Sequence, residues 1–561
     1  MYECFNCGGN LKFDIARQQL YCEYCGTLAD PYSVCKERDA EETVMPGGEE
    51  GEYEVTVFTC PQCGGEILSE DTTAATFCSF CGASTILDSR ISRTRRPGYI
   101  LPFTRTKEDC KAAYGKMMRR AFFAPKELKD ETLIEKFRGI YMPYWVYTFE
   151  KKSGISFPGK KTRRRGDYLI TDHYRLECQV EAKYSGMAYD ASSAFSDSLS
   201  GAIAPFDLRQ GKEFAPSFLS GFYADASDVE KYVYLQEAED IVVRHAAGQL
   251  ARDSVCRKYH AEAIGDGQRI RNALRPDERT SVLAMLPVWF LSYRNGDRVS
   301  YAVVNGQTGK AAADLPVDMK KYLAGSGILA VPLFLLLNLF LTITPGKILL
   351  IAALLAVLCI LISNRQMNHI LARESGEDDK GLASVRPVSG ADAAGWQRRR
   401  RIRRTGSGTF LKVFGMILLM YGFVLVPSFL FRALGGAMGG GKTRGARMLM
   451  YAAVTLAVGY GSMRVFQRLM GSSGRESQGK KSFWGGHFKE KWRTLLKPLA
   501  GIVLAAVILL ANPVSDWFYY IGAFACMGTV LWAILDIIRQ HNMLTTRRLP
   551  QLNRRGGDEN E

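Results

Sequence analysis

At 561 residues the chain is too long for one small domain. Its formal net charge of +16 permits an acidic partner, either nucleic acid or anionic lipid. A mean hydropathy near zero averages two unlike halves: residues 1–320 read as soluble, and the chain beyond about 324 turns apolar.

The first 81 residues hold a duplicated cysteine pattern. Cys4, Cys7, Cys22 and Cys25 form one set, and Cys60, Cys63, Cys78 and Cys81 form the other. Each reads Cys-x-x-Cys, 14 residues, Cys-x-x-Cys, and glycines recur after the second cysteine of each pair. A Cys-x-x-Cys turn aims two thiolates at one centre, and two turns close a tetrahedron of sulfurs that suits Zn²⁺ and leaves no open coordination position. Disulfide and iron–sulfur readings use the same thiolates. No signal peptide precedes Cys4, and the paired, duplicated spacing favours zinc. The expectation is two structural Zn²⁺ ions, each site of net charge −2, which brings the chain to about +12.

The predicted organisation follows in chain order. Residues 1–30 form zinc ribbon 1, 31–56 an acidic linker, 57–90 zinc ribbon 2 and 98–320 an α+β domain with an antiparallel sheet. Residues 324–538 form an all-α bundle of six transmembrane helices, and 539–561 a basic tail. In the α+β domain, Thr106 before Lys107-Glu108-Asp109 predicts a helix N-cap, with the helix running to about Phe123. Tyr141 to Phe157 and Tyr168 to Tyr184 predict strands joined by a very basic hairpin tip, Gly159 to Gly166. That tip reads either as a solvated loop or as a contact to phosphates of lipid or nucleic acid. Residues 186–226 read as irregular and 227–262 as one long helix. Leu283 to Tyr293 and Val299 to Val304 read as a strand pair. Tyr141-Met142-Pro143-Tyr144-Trp145 echoes Met285-Leu286-Pro287-Val288-Trp289, each with a tryptophan two residues after a proline. Both tryptophans are predicted to be core.

Six apolar stretches set the expected spans: 324–343, 347–363, 409–433, 447–466, 494–511 and 516–538. Arginines and lysines concentrate after the second, fourth and sixth, including Arg398 to Arg401, Lys480, Lys481, Arg547 and Arg548. Positive-inside then places both termini in the cytoplasm of a multi-pass protein of the cell (inner, cytoplasmic) membrane. Reduced thiolates fit that compartment.

No catalytic residue emerges. His173, His245 and His260 are isolated, Cys110, Cys178 and Cys256 sit in helix or strand patterns, and Asn305 to Lys310 lacks the length and ending of a P-loop. No acid/base pair or small-molecule site is predicted, so the chain reads as a non-enzyme.

Taken together, the Cys-x-x-Cys-Gly-Gly ribbons, Leu101-Pro102-Phe103, Tyr141 to Trp145, Pro205-Phe206-Asp207, Ser220 to Ala224, Leu286 to Trp289 and Val304 to Lys310 carry a resemblance. The chain resembles the poorly characterised bacterial membrane-anchored proteins labelled TFIIB-type zinc-ribbon-containing, over about residues 1–320. The resemblance implies a role in a cell-envelope assembly of the band-7/SPFH or phage-shock type. Helicase labels found in that family do not transfer, because no helicase motif is present. The expected function is a non-enzymatic membrane adaptor or scaffold that contacts the lipid bilayer and protein partners. The alternatives are a membrane-tethered nucleic-acid-binding or regulatory protein, and a transporter or channel with a zinc-bearing regulatory domain. Ribbon 2 holds Glu66, Glu70 and Asp71 and no lysine or arginine between Cys60 and Cys81, which argues against nucleic acid.

Overall fold

The computed structural model describes residues 2–35, 52–60, 66–68, 78, 80, 88–259, 272–295, 298–340, 344–374, 378–385, 497–509, 511 and 513–548. The chain divides into two compact units. One comprises Met1–Leu323, His369–Arg386 and His541–Glu561, and the other Ala324–Asn368 and Pro387–Gln540.

In the first unit, the N-terminal segment forms a three-stranded antiparallel sheet: β1 (Leu11–Asp14), β2 (Gln19–Cys22) and β3 (Leu28–Ala29). A second, larger sheet holds β4 (Glu52–Thr59), β5 (Glu66–Leu68), β6 (Asp88–Arg95), β7 (Tyr99–Ile100), β8 (Arg138–Arg165), β9 (Tyr168–Asp190), β10 (Lys212–Glu213), β11 (Tyr223–Ala224), β12 (Glu278–Asn295), β13 (Arg298–Asn305), β14 (Ala311–Ala313) and β15 (Arg547–Arg548). The two echoing segments are neighbours at its centre. β8 and β12 run antiparallel, with Met142 opposite Leu286 and Tyr141 opposite Pro287. Their side chains are buried on both faces: Tyr141, Trp145, Tyr147 and Phe149 on one, Ile140, Met142, Tyr144 and Val146 on the other. A strand covered twice carries a continuous apolar run rather than an alternating one. Both tryptophans are core, and each indole N–H donates to a carbonyl, Trp145 to Val229 at 2.7 Å and Trp289 to Arg105 at 3.0 Å.

The sheet departs from the antiparallel expectation. β11 lies parallel to β8 and β7 parallel to β12. Both are two-residue strands that arrive by long connections, so no tight hairpin fixes their direction.

Helices cover the sheet. α1 (Lys107–Arg120) starts where its cap predicts, with a reciprocal capping box between Thr106 and Asp109, and buries Cys110, Tyr114 and Met118. α2 (Glu131–Ile134) follows. α3 (Asp197–Ile203), capped by Ser196, lies inside the stretch expected to be irregular and buries Leu199 and Ile203 on the opposite face of the sheet. The expected long helix 227–262 is broken into α4 (Leu235–Arg252) and α5 (Ser254–Lys258). Asp253 takes an extended ψ of 142°, and its carboxylate accepts from the amides of Val255 and Cys256, starting a new helix.

The six-helix transmembrane bundle is not what the structure contains. α6 (Met319–Phe340) holds the first expected span, and α7 (Pro345–Glu374) the second. The fifth lies on α9 (Lys497–Leu509) and the sixth on α10 (Asp516–Leu544), after α8 (Lys380–Val385). Among the described residues, two helical segments are long and apolar enough to cross a membrane, Pro345–Ile370 and Asp516–Leu544. The expected spans 409–433 and 447–466 lie outside the described residues. Within the second unit these helices pack through small residues: Ala352, Ala505, Ala523 and Cys526 form one buried cluster, and an added methyl at Gly501 would sit 2.2 Å from Thr529 Oγ1.

Two later chain segments belong to the first unit, His369–Arg386 and His541–Glu561. β15 pairs with β13, and the Arg298 guanidinium donates to the Met543 and Thr546 carbonyls. Arg373 pairs with Asp314 at 2.9 Å. α8 docks through an acidic cluster: the Lys380 amide donates to Asp197, and the Tyr234 hydroxyl donates to the same carboxylate. Buried Asp379 lies near Asp197, with Asp378 and Arg547 also facing it. Burial first, and the Asp197 charge second, push the Asp379 carboxyl up to about 7; burial raises Asp190 beside it as well. The folded state therefore holds a proton the unfolded chain releases. This contribution is fully present below the ordinary carboxylate range and is lost as pH rises through about 7. Hydrogen-exchange protection of the α8 amides, corrected for intrinsic rates, should fall about tenfold between roughly pH 6 and 8. Asp379→Asn keeps the cap on Leu382 and should flatten that dependence.

Candidate metal centre

The first cysteine set is assembled by two turns of the same geometry. In one, the Cys4 amide donates to Gly9 O at 2.7 Å and the Gly8 amide to Cys4 O at 2.8 Å. In the other, the Cys22 amide donates to Thr27 O and the Gly26 amide to Cys22 O, both at 2.9 Å. Gly8 and Gly26 sit at φ +70° and +76°, a left-handed conformation that side chains strain to adopt, and this explains why glycine follows Cys7 and Cys25. β1 and β2 hold the two turns together through the register Leu11 to Cys22.

The four sulfurs lie within 4.8 Å of one another, with Cys4 to Cys25 and Cys7 to Cys22 at 3.5 Å. A tetrahedral ion with bonds of about 2.3 Å needs sulfur–sulfur edges of about 3.8 Å, so the cage fits a four-coordinate metal with little adjustment. Cys4 and Cys22 are buried, and Cys7 and Cys25 exposed. The Thr27 hydroxyl, 3.0 Å from Cys25 Sγ, and the Thr27 amide lower that thiol to about 6, favouring the thiolate a metal requires. An ion bound by all four sulfurs would have no open coordination position left for a substrate.

Of the second set, Cys60 and Cys78 are fully buried in the core cluster that contains Phe80 and Phe290, while Cys63 and Cys81 lie outside the described residues. β4, β5 and β6 of this repeat are strands of the large sheet. Among the described residues, no other group of three or more histidine, cysteine or acidic side chains is placed to hold a metal. The remaining sequence candidates stay apart. Cys110 and Cys256 are buried, burial raising the Cys256 thiol to about 11. His245 faces Tyr184 at 3.4 Å, and His260 lies outside the described residues.

Two features went unread in the sequence. The first is how firmly ribbon 1 is docked. Phe13 packs on Phe218 at 5.3 Å, the Phe13 amide donates to Ser220 O at 3.0 Å, Ser217 Oγ to Pro31 O at 2.7 Å and Gln18 Nε2 to Phe103 O at 2.7 Å. The second is what docking leaves outside. Phe5 and Tyr24, one on each cysteine turn, are 69% and 80% exposed. Tyr24 lies against Gly9, where an added methyl would meet its ring at 2.5 Å. Aromatics inside Cys-x-x-Cys turns give no sequence signal of their orientation.

These features define an α+β protein with a four-cysteine cluster placed to hold a metal and, among the described residues, two helices of membrane-crossing length. No family model matches the chain, and no solved structure matches it. It is 29% identical to the uncharacterised protein YdjG of Bacillus subtilis (strain 168) over 346 residues, 60% of this chain and 96% of YdjG.

Proposed function

We propose that this chain is a non-enzymatic adaptor tethered to the cytoplasmic membrane, with ribbon 1 as its protein-docking surface and Zn²⁺ as the structural ion of both cysteine sets. The observation that carries the reading is the pair of exposed, pre-positioned aromatics on a ribbon whose other face is already occupied. Rigid aromatic side chains at a protruding edge are the commonest anchors of protein interfaces. Docking of nucleic acid there is disfavoured, because Lys12 and Arg17 are spent on Glu23 at 2.9 Å and Asp14 at 3.0 Å. Cytoplasmic placement of both termini belongs to the same proposal and rests on the distribution of lysine and arginine along the sequence. Membership in the TFIIB-type zinc-ribbon proteins, and a place in a band-7/SPFH or phage-shock type assembly, belong to the same proposal.

The test is crosslinking from native membranes, comparing the wild type with Phe5→Ala/Tyr24→Ala. The double variant should keep its metal and lose crosslinked partners at least about tenfold. Unchanged crosslinks with both aromatics gone would remove the docking role.

A further inference from the structure

The β8–β9 hairpin extends past the body that supports it. Up to Lys160 it is packed: Ile155 and Phe157 share a core with Val243 and Cys256, the Lys160 amide donates to Tyr259 O at 2.6 Å, and the Tyr174 ring is tilted against Tyr259 at 4.7 Å. Beyond that point the ribbon carries on for five more residue pairs, about 16 Å at the rise of a β-strand. Gly166, at φ +61°, opens a two-residue turn with Asp167.

The composition of this free end is specific. Lys160, Lys161, Arg163, Arg164 and Arg165 stand against Asp167 and Asp172, and Arg163 reaches Asp172 at 3.6 Å. Among them sit Tyr168 and Leu169, 77% and 74% exposed. The register sets the faces. Arg165 opposes Tyr168 and Arg163 opposes Ile170 on one face, while Arg164 opposes Leu169 on the other. Cations and apolar groups therefore surround the tip on both faces. Residues 165–170 also line a concavity of about 530 Å³.

We infer that this tip inserts into the headgroup region of an anionic lipid bilayer, with Tyr168 and Leu169 at the acyl boundary and the flanking arginines on lipid phosphates. A ribbon that enters a surface end-on needs apolar side chains beside its turn with cations flanking them, and here Tyr168 and Leu169 follow the Gly166-Asp167 turn while Arg163, Arg164 and Arg165 precede it. A single-stranded nucleic acid would ask for successive rings along one face, and beyond Tyr168 the tip presents Leu169 and Ile170, which offer no ring for a base to stack on. The inference is independent of the docking role of ribbon 1. It draws on the membrane tether only for keeping the tip near a bilayer.

The experiment uses the full chain in lipid nanodiscs, with Tyr168 replaced by a photo-crosslinking phenylalanine and lipid adducts read by mass spectrometry. Discs of phosphatidylcholine alone are compared with discs containing about 30% phosphatidylglycerol. Adducts should be at least about fivefold higher in the anionic discs, and should fall to the neutral level in about 0.5 M salt. Arg163→Gln/Arg164→Gln/Arg165→Gln should abolish the difference while the metal content, a readout of folding distant from the hairpin, stays unchanged. Equal adducts in both discs would overturn the inference. So would a tip that crosslinks to added single-stranded DNA or RNA while ignoring phosphatidylglycerol. Retention of the chain in neutral discs reports separately on the tether, so the two readings fail separately.

Discussion

Cys22→Ser, or removal of the ion by a chelator, is expected to unfold residues 2–35 and to lower zinc from two ions per chain to one in the variant. The magnitudes decide this. Tyr2, Leu11, Phe13, Leu20, Ala29 and Pro31 are the buried apolar side chains of this segment apart from cysteines. Burying a side chain of this kind contributes roughly 1.5–3 kcal/mol, whereas ordering each backbone residue costs on the order of 1 kcal/mol over the whole segment. A structural zinc supplies roughly 10–16 kcal/mol, several times what any one of these side chains contributes. Cys22 is the sensitive position because it is both a ligand and the last residue of β2, paired with Leu11. The loss should spread. Without ribbon 1, Phe218 loses Phe13 and Tyr32, and the Phe103 carbonyl loses Gln18. Hydrogen exchange should show β1 and β2 unprotected and partial loss of protection at residues 216–222. Full protection of β1 and β2 after complete demetallation would mean that packing alone holds the ribbon.

The cysteine cage was readable because ligand chemistry fixes spacing: two Cys-x-x-Cys turns and their glycines follow from tetrahedral sulfur geometry. The α1 cap was readable because Thr106 and Asp109 act within one turn. Strand content was readable where aromatic and β-branched residues run long, as in β8 and β12. What stayed hidden depends on partners distant in sequence. The two-residue strands β7 and β11 form on longer neighbours, β12 and β8, and β10 pairs in turn with β7; nothing in Tyr99-Ile100 or Tyr223-Ala224 announces that. The break at Asp253 was missed because no proline or glycine marks it. Mean hydropathy cannot distinguish a bilayer span from an apolar helix packed against others, and α9 buries Ile502 and Ala505 against its neighbours.

Phe103→Ala is expected to cost about 3–5 kcal/mol of stability in the first unit. Phe103 is fully buried at a junction of three aromatic rings: stacked on Phe222 at 4.6 Å, edge-on to Tyr141 at 5.0 Å and tilted against Trp289 at 5.1 Å. Two glycines make room for it. An added methyl at Gly306 would sit 2.6 Å from Phe103 Cδ1 and 2.8 Å from Pro287 Cβ, and one at Gly139 would sit 2.6 Å from Phe222 Cδ1. The segment cannot simply retreat, because the Thr104 and Arg105 amides both donate to Gly306 O, at 3.0 and 2.8 Å, and Trp289 is tied to Arg105 O. Gly306→Ala alone should therefore cost about 1–3 kcal/mol by overpacking. The double variant separates this account from a general loosening. Removing the ring takes away the main clash of the new methyl, which then fills part of the cavity. The combined loss should fall short of the sum of the single losses by about 1 kcal/mol or more, the remainder reflecting the contact with Pro287. Pulse proteolysis across a urea series on the solubilised full chain gives all four midpoints of the cycle. Strict additivity would show that Gly306 is glycine for its backbone alone, and that the aromatic junction does not depend on the space it leaves.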